Sequence, residues 1–332
     1  EFRRVLFRST NSFEPTASST YPSALLLDHL QATGQTAPEA QMQAAAHINT
    51  GYQRLTTFEV SDEPGGFSRF GQAPADPVLT AYGLQAFSAM QHVHPVDPAL
   101  MDRMAAWLFE HQRADGSWAG AAGIREMERL PVTAFVLWGL ADAGYASDER
   151  AQQAAEFLLA SISETEETPG YTLALVANAL VAMEVADDGG RASATEGVVQ
   201  RLADLAIREG DVAYWESDRA TYLGSTGRSA DLETTAMAAL ALFQAERHVE
   251  VANAAVTMLI QNKDSFGAWH TTSATAMALK ALVESAQFDA EGAESATIDA
   301  PVTVNVTLNE GEAQSVQITP ETLDVVRSLT FE

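Results

Sequence analysis

Residues 111–120, HQRADGSWAG, end one kind of helix pattern and introduce another. Before the turn, PALMDRMAAWLFEHQ at 98–112 carries charge on one face and apolar side chains on the other, as an amphipathic outer helix does. After it, PVTAFVLWGLADAG at 131–144 is apolar around most of its circumference, the pattern of a helix buried on several sides. The turn between them combines Gly116 with Trp118.

This unit recurs. Aromatic-bearing turns stand at GGFSRF (65–70), TPGY (168–171), AYWE (213–216) and FGAWH (266–270), a period of about fifty residues. Each leads into a segment rich in Ala and Leu: PVLTAYGLQAFSAM, YTLALVANALVAM, LETTAMAALALFQA and TSATAMALKALVESA. Amphipathic segments lie between them: DERAQQAAEFLLASI, ATEGVVQRLADLAIRE and HVEVANAAVTMLIQNK. With a leading pair, PSALLLDHLQATG and PEAQMQAAAHINTGYQRLTTFE, the chain holds about six helical hairpins. Six hairpins can close on themselves with the apolar set inside, which predicts an all-α fold, an α/α toroid. An open solenoid would show polar capping repeats, and none is evident.

The pattern changes near residue 300. In PVTVNVTLNEGEAQSVQITPETLDVVRSLTFE, Val302, Val304, Val306 and Leu308 alternate with polar residues, Asn309-Glu310-Gly311 makes a turn, and Val316 and Ile318 resume the alternation. Period two about a glycine turn predicts a β-hairpin. Two or three strands do not make a stable sheet alone, so 301–332 reads as the truncated start of a β domain. The acidic, alanine-rich stretch 288–300 reads as a linker, leaving 10–287 for the toroid. Residues 1–9, EFRRVLFRS, read as an adapter-derived artefact, with the native reading starting near Thr10 of a longer protein.

Composition narrows the function classes. The formal net charge is −26, and only two lysines occur, Lys263 and Lys280. Such a surface repels phosphate backbones and anionic lipid, against nucleic-acid or membrane-surface binding. No window approaches the roughly 18 unbroken apolar residues of a membrane span. Cysteine is absent, which removes disulfides, thiolate metal sites and thiol nucleophiles together.

Three ordered segments carry a resemblance: GYQRLTTFEVSDEPGGFSRFGQAPADPVLTAYGLQAF (51–87), HQRADGSWAG, and GSTGRSADLETTAMAALALF (224–243). They resemble the thioester-containing domain of the alpha-2-macroglobulin and complement family, over residues 11–286. The resemblance implies an α/α toroid followed by closing strands of a β-sandwich. It also implies a role in a protease-trapping, endopeptidase-inhibiting protein outside the cytoplasm: extracellular, periplasmic or on the cell surface. The implied partners are proteases and the other domains of the same chain, with no cofactor.

Active family members carry Cys-x-Glu-Gln before the first helix, followed by a hydroxyl-rich run ending in Tyr-Pro. Here SFEPTASSTYP (12–22) places Ser12 at the cysteine position, keeps Glu14, and puts Pro15 at the glutamine position. An internal thioester needs a thiolate of low pKa and a side-chain acyl group. An alkoxide is a far worse leaving group, and proline has no side-chain carbonyl. The resemblance therefore implies a site without a functional thioester and a steric, non-covalent role. The histidine that assists acyl transfer in complement proteins has no counterpart in AAGIREMERLP (121–131), which offers Arg125 and Glu126.

Other readings of single motifs are structural. Ser12 lacks the G-x-S-x-G elbow of a nucleophile and reads, with Thr16, as a loop or N-cap residue, Pro15 lying near a helix start. His92 and His94, in the Pro-rich MQHVHPVDP, read as a solvated loop rather than a metal pair. His270 reads as a partly buried structural histidine. GSTGRS (224–229) lacks the G-K-[ST] ending of a phosphate loop and reads as a helix-capping turn. Asp187-Asp188 reads as a helix end. Asn305-Val306-Thr307 is a glycosylation sequon set within a predicted strand. The aromatics Phe67, Trp118, Trp215 and Trp269 are expected to pack each turn on its neighbour rather than line a ligand wall.

Two alternatives come from other classes. One is an enzyme on the same architecture, related to terpenoid cyclases or prenyltransferases, suggested by the Gln112-x-x-Asp115-Gly116-Ser117-Trp118 turn. It lacks the Asp-x-Asp-Asp acid motif and the zinc-binding cysteine, and its inner segments offer mainly Ala, Leu, Val and Thr. The other is a structural spacer in a surface protein.

Overall fold

Hydroxyl side chains start the first helix earlier than its apolar run does. Helix α1 (Phe13–Ala32) begins at Phe13 and carries Pro22 inside it. Its first turns are braced by Thr16 Oγ1 donating to the Ser12 carbonyl at 2.8 Å and Thr20 Oγ1 donating to the Thr16 carbonyl at 2.8 Å. The computed structural model describes residues 12–34, 38–120, 129–165, 167–185, 192–265, 267–295, 302–306 and 314–318.

After α1 come α2 (Pro38–Leu55), α3 (Pro77–Gln91), α4 (Pro98–Glu110), α5 (Arg129–Asp142) and α6 (Glu149–Ser163). Next are α7 (Gly170–Val185), α8 (Ala192–Asp204), strands β1 (Ile207–Glu209) and β2 (Val212–Tyr214), α9 (Arg228–Gln244), α10 (Val249–Gln261) and α11 (Thr272–Ser295). Strands β3 (Val302–Val306) and β4 (Gln314–Ile318) follow. The chain divides into two compact units, 1–285 and 286–332. No helix among the described residues is long and apolar enough to cross a membrane.

The first unit is the expected α/α toroid. Odd-numbered helices pack side by side: α1 on α3, α3 on α5, α5 on α7, and α7 on α9. Helix α11 closes the ring, for Thr272 Oγ1 donates to Glu14 Oε1 of α1 at 3.1 Å and Lys280 Nζ lies 5.6 Å from the Tyr21 ring centre. The inner helices α3, α5 and α9 are buried almost all round, whereas α4, α6 and α10 bury one face only. Asp76, Asp97 and Asp148 cap α3, α4 and α6 by accepting from backbone N–H groups of the first turn. Each such cap contributes about 1 kcal/mol.

The repeated turn is a two-sided clamp. Backbone N–H groups of Phe67, Trp118, Trp215 and Trp269 donate to the hydroxyls of Thr80, Thr133, Thr235 and Thr275 on the next inner helix, at 2.9–3.1 Å. The indole N–H groups of Trp118, Trp215 and Trp269 donate backward to carbonyls of Leu108, Leu202 and Leu259, at 2.6–2.8 Å. Each of the three tryptophans therefore ties the end of one outer helix to the start of the next inner one, and Phe67 makes the forward bond alone. Tyr171 departs from the pattern: it opens α7 itself, and its hydroxyl accepts from the Tyr222 N–H at 3.0 Å.

Two elements differ from the sequence reading. The segment 194–209 is not one helix: α8 stops at Asp204, and β1 pairs antiparallel with β2, Glu209 opposite Val212. Gly210, at φ 63, lets the chain reverse there before Val212 and Tyr214 continue in extended form. Helix α11 runs on to Ser295, so most of the segment expected as a linker at 288–300 is helical, consistent with its alanine and glutamate content. In the second unit, β3 and β4 form the predicted hairpin, Val304 opposite Val316 and Val302 opposite Ile318. The turn expected at Asn309-Glu310-Gly311 lies outside the described residues.

Candidate functional site

Ser12 occupies the N-cap position of α1 in extended backbone (φ −144°, ψ 165°), and its side chain caps nothing. It is buried, and among the described residues no base bonds to its hydroxyl. Pro15 falls in the first helical turn, where the missing N–H has no intrahelical partner to lose. Between them Phe13 is fully buried, its ring 5.5 Å from Phe67 and 6.0 Å from Phe58. The Phe13 N–H donates to the Arg69 carbonyl at 3.0 Å, fixing this turn to the loop before α3.

Glu14, the retained acidic residue, faces the ring seam. Its Oε1 accepts from Ser18 Oγ at 2.7 Å and from Thr272 Oγ1 at 3.1 Å, while Ser18 Oγ is also 2.8 Å from the Tyr82 hydroxyl. Burial pushes the Glu14 carboxyl above its ordinary value, opposed by those two hydroxyl bonds and by the charge of Arg69.

A second carboxyl meets the same helix end. Glu233 of α9 is fully buried, and its Oε2 accepts from Ser225 Oγ at 2.6 Å. Ser225 Oγ is in turn 2.7 Å from Thr271 Oγ1 and 2.9 Å from Ser273 Oγ. Among the described residues Glu233 Oε1 has no hydrogen-bond partner. Burial raises this carboxyl to about 7, against the lowering influence of the Ser225, Ser273 and Thr221 hydroxyls and with Glu14 raising it further. Of three consecutive hydroxyls about the start of α11, Thr272 thus bonds to Glu14 directly, while Thr271 and Ser273 reach Glu233 through Ser225 Oγ.

Sequence reading missed this arrangement. GSTGRS does precede a helix, with Gly227 at the N-cap of α9, but Ser225 is a buried donor rather than a capping residue. Glu233 was the available signal: a carboxylate inside the otherwise apolar LETTAMAALALF.

The remaining candidates do not assemble. His92 Nδ1 lies 3.2 Å from Asp28 Oδ2 on the exterior, whereas the His94 ring packs 5.3 Å from Tyr52. Among the described residues no three His, Cys, Asp or Glu side chains are grouped to hold a metal ion. His270 is exposed rather than partly buried, in left-handed backbone at φ 65. In the cyclase-like turn, Gln112 Nε2 donates to the carbonyls of Gly116 and Arg150, both at 2.8 Å, so the motif braces the turn against α6. Arg125, Glu126, Asp187 and Asp188 lie outside the described residues.

The geometry can anchor a helix start tightly, but Ser12 and Pro15 supply neither a sulfur nor a carboxamide there. The family model for the A-macroglobulin TED domain matches residues 5–285. Ovostatin of Gallus gallus is 25% identical over 281 residues, covering 79% of this chain and 18% of that protein. Thioester-containing protein 1 allele S3 of Anopheles gambiae is 24% identical over 280 residues, covering 80% of this chain and 19% of that protein. The chain spans less than a fifth of the length of these curated relatives.

Proposed function

The chain belongs to the A-macroglobulin TED domain family, and from that premise we propose that it is the thioester-type domain of a larger protease-trapping protein that works without covalent attachment. One observation carries this reading: Ser12 and Pro15 stand where the reaction needs a thiol and a carboxamide, in a chain with no cysteine at all. Serine oxygen in place of thiolate sulfur, and a proline ring in place of an acyl donor, each remove the bond independently.

In this reading the domain is a non-enzymatic wall of the trap. Cleavage of a bait segment elsewhere in the parent protein lets the domains close around the protease, which stays active but enclosed. The parent is extracellular, periplasmic or surface-borne, and its partners are proteases and its own neighbouring domains.

Treatment of the chain with labelled methylamine tests the chemical half: no uptake and no released thiol are expected, and stoichiometric uptake would sink it. The steric half is tested by mixing the parent protein with proteases. Activity on large substrates should fall while activity on small peptides persists. Equal loss or equal retention on both would remove the trapping role.

A further inference from the structure

Buried carboxyls are stable when neutral, or when a cation answers them. Glu233 has neither an ion pair among the described residues nor a partner for Oε1. The groups that face it are Glu14 from α1, Tyr82 from α3, Tyr171 from α7, Thr221 and Ser225 from the segment before α9, and Ser273 at the start of α11. None of these groups is itself cationic; positive charges act on two of them, Arg219 on Tyr171 and Arg69 on Glu14. The two acids meet the same three residues from opposite sides: Thr272 Oγ1 bonds to Glu14, while its chain neighbours Thr271 and Ser273 contact Ser225 Oγ, which donates to Glu233, at the start of the helix that closes the ring.

We propose that Glu233 and Glu14 form a proton-operated latch, which holds the first turn of α1 against the start of α11 while Glu233 is neutral and slackens it when Glu233 ionises. A neutral Glu233 carboxyl brings a proton of its own into the hydroxyl cluster and places no charge near Glu14. On ionisation both Glu233 oxygens become acceptors, Oε1 is a charged atom with no donor among the described residues, and a negative charge faces the Glu14 carboxyl. Admitting water at the seam relieves this, and the contact most directly given up is the Thr272–Glu14 bond. The turn that moves carries Ser12 and Pro15, so the latch governs exposure of the family's reactive position whether or not that position is reactive.

The sign follows from the direction of the shift. Burial holds Glu233 at about 7, against 4.5 for a free carboxyl. The closed seam therefore has its full stability below about pH 4.5, loses it as pH rises toward 7, and is constant above that. Opening should become easier by up to roughly a hundredfold across that window.

Hydrogen exchange of the backbone amides of residues 13, 14 and 16–20 in the 332-residue chain, corrected for the intrinsic rate, reads this directly. Protection should fall by roughly that factor between pH 5 and 8 in the wild type and stay flat in Glu233→Gln. A flat wild-type profile, or an unchanged slope in Glu233→Gln, overturns the latch. Should the variant fail to fold, a carboxyl-carbon NMR titration of wild-type Glu233 decides instead. A midpoint near that of the exchange profile supports the proposal, and a midpoint of an ordinary carboxylate overturns it. Neither measurement depends on the trapping role.

Discussion

Lys280 on the last inner helix donates to Asp142 at the end of α5, 2.8 Å away, on the opposite side of the ring. The ammonium also lies 4.5 Å over the Trp138 ring, and Gln85 Nε2 approaches the same Asp142 oxygen at 3.4 Å. Burial acts to lower the Lys280 pKa, but attraction to Asp142 and Tyr21 outweighs it and the net shift is upward. This pair is the ring's internal crossbar.

Removing one end of the crossbar should cost far more than removing both. Lys280→Met leaves Asp142 with its side chain only 19% exposed and without its cation, at a cost of about 3–5 kcal/mol. Asp142→Leu should cost a similar amount. The double variant should recover most of that loss, because well-packed apolar replacements of buried ion pairs are often neutral. Urea unfolding of the three variants measures it. Additive losses in the double variant would show that the two residues act separately.

The aromatic clamps make a second prediction. Thr133→Val keeps the shape of the side chain but leaves the buried Trp118 N–H without an acceptor, at about 1–3 kcal/mol. Trp118→Phe instead takes from the Leu108 carbonyl one of its two donors, leaving the His111 N–H at 3.2 Å, and removes part of a fully buried ring. Thr172, one residue beyond the divergent Tyr171, receives no such N–H, so Thr172→Val should cost less than Thr133→Val. Thermal unfolding midpoints give the order.

Much of this architecture was legible because it is periodic. The alternation of apolar and amphipathic segments placed the inner and outer helices, and the aromatic turns placed the clamps between them. The hairpin of β3 and β4 followed from period two. What stayed hidden depends on contacts between distant residues. Glu233 lies 219 positions from Glu14 (233 minus 14), and Lys280 lies 138 from Asp142. Nothing local marks either pair beyond a charge in an apolar run. The β1–β2 hairpin was hidden for a different reason: VVQRLADLAIRE keeps helical periodicity past Asp204, and only Gly210 and the extended pairing of Ile207 with Tyr214 break it.

The position of Ser12 and Pro15 on one helical turn yields a chemical prediction. Ser12→Cys alone supplies a nucleophile without an acyl group, and Pro15→Gln alone supplies the reverse. Neither single variant should take up methylamine. The double variant restores Cys-x-Glu-Gln at a helix start already anchored by Phe13 and Glu14, and should release one thiol per chain on methylamine treatment. A double variant that folds, retains a free thiol throughout and takes up nothing would show that further residues of the site have also diverged.

Two glycines separate backbone strain from backbone contact. Gly116 and Gly144 both adopt left-handed φ, 85° and 90°, so an alanine at either is strained by about 1 kcal/mol or more. Their surroundings differ. A Cβ on Gly144 would meet nothing within 4 Å, whereas one on Gly116 would lie 2.5 Å from the Gln153 carbonyl oxygen of α6. Gly65 repeats the arrangement one unit earlier, 2.2 Å from the Arg103 carbonyl oxygen of α4. Gly65 and Gly116 thus let the Phe67 and Trp118 clamps sit directly on the backbone of the following outer helix. Gly144→Ala should lose only the conformational cost, while Gly116→Ala and Gly65→Ala should lose that plus the displacement of a helix. Denaturant midpoints for the three variants test this, and equal losses at Gly116 and Gly144 would mean that the turn relaxes away from α6 without penalty.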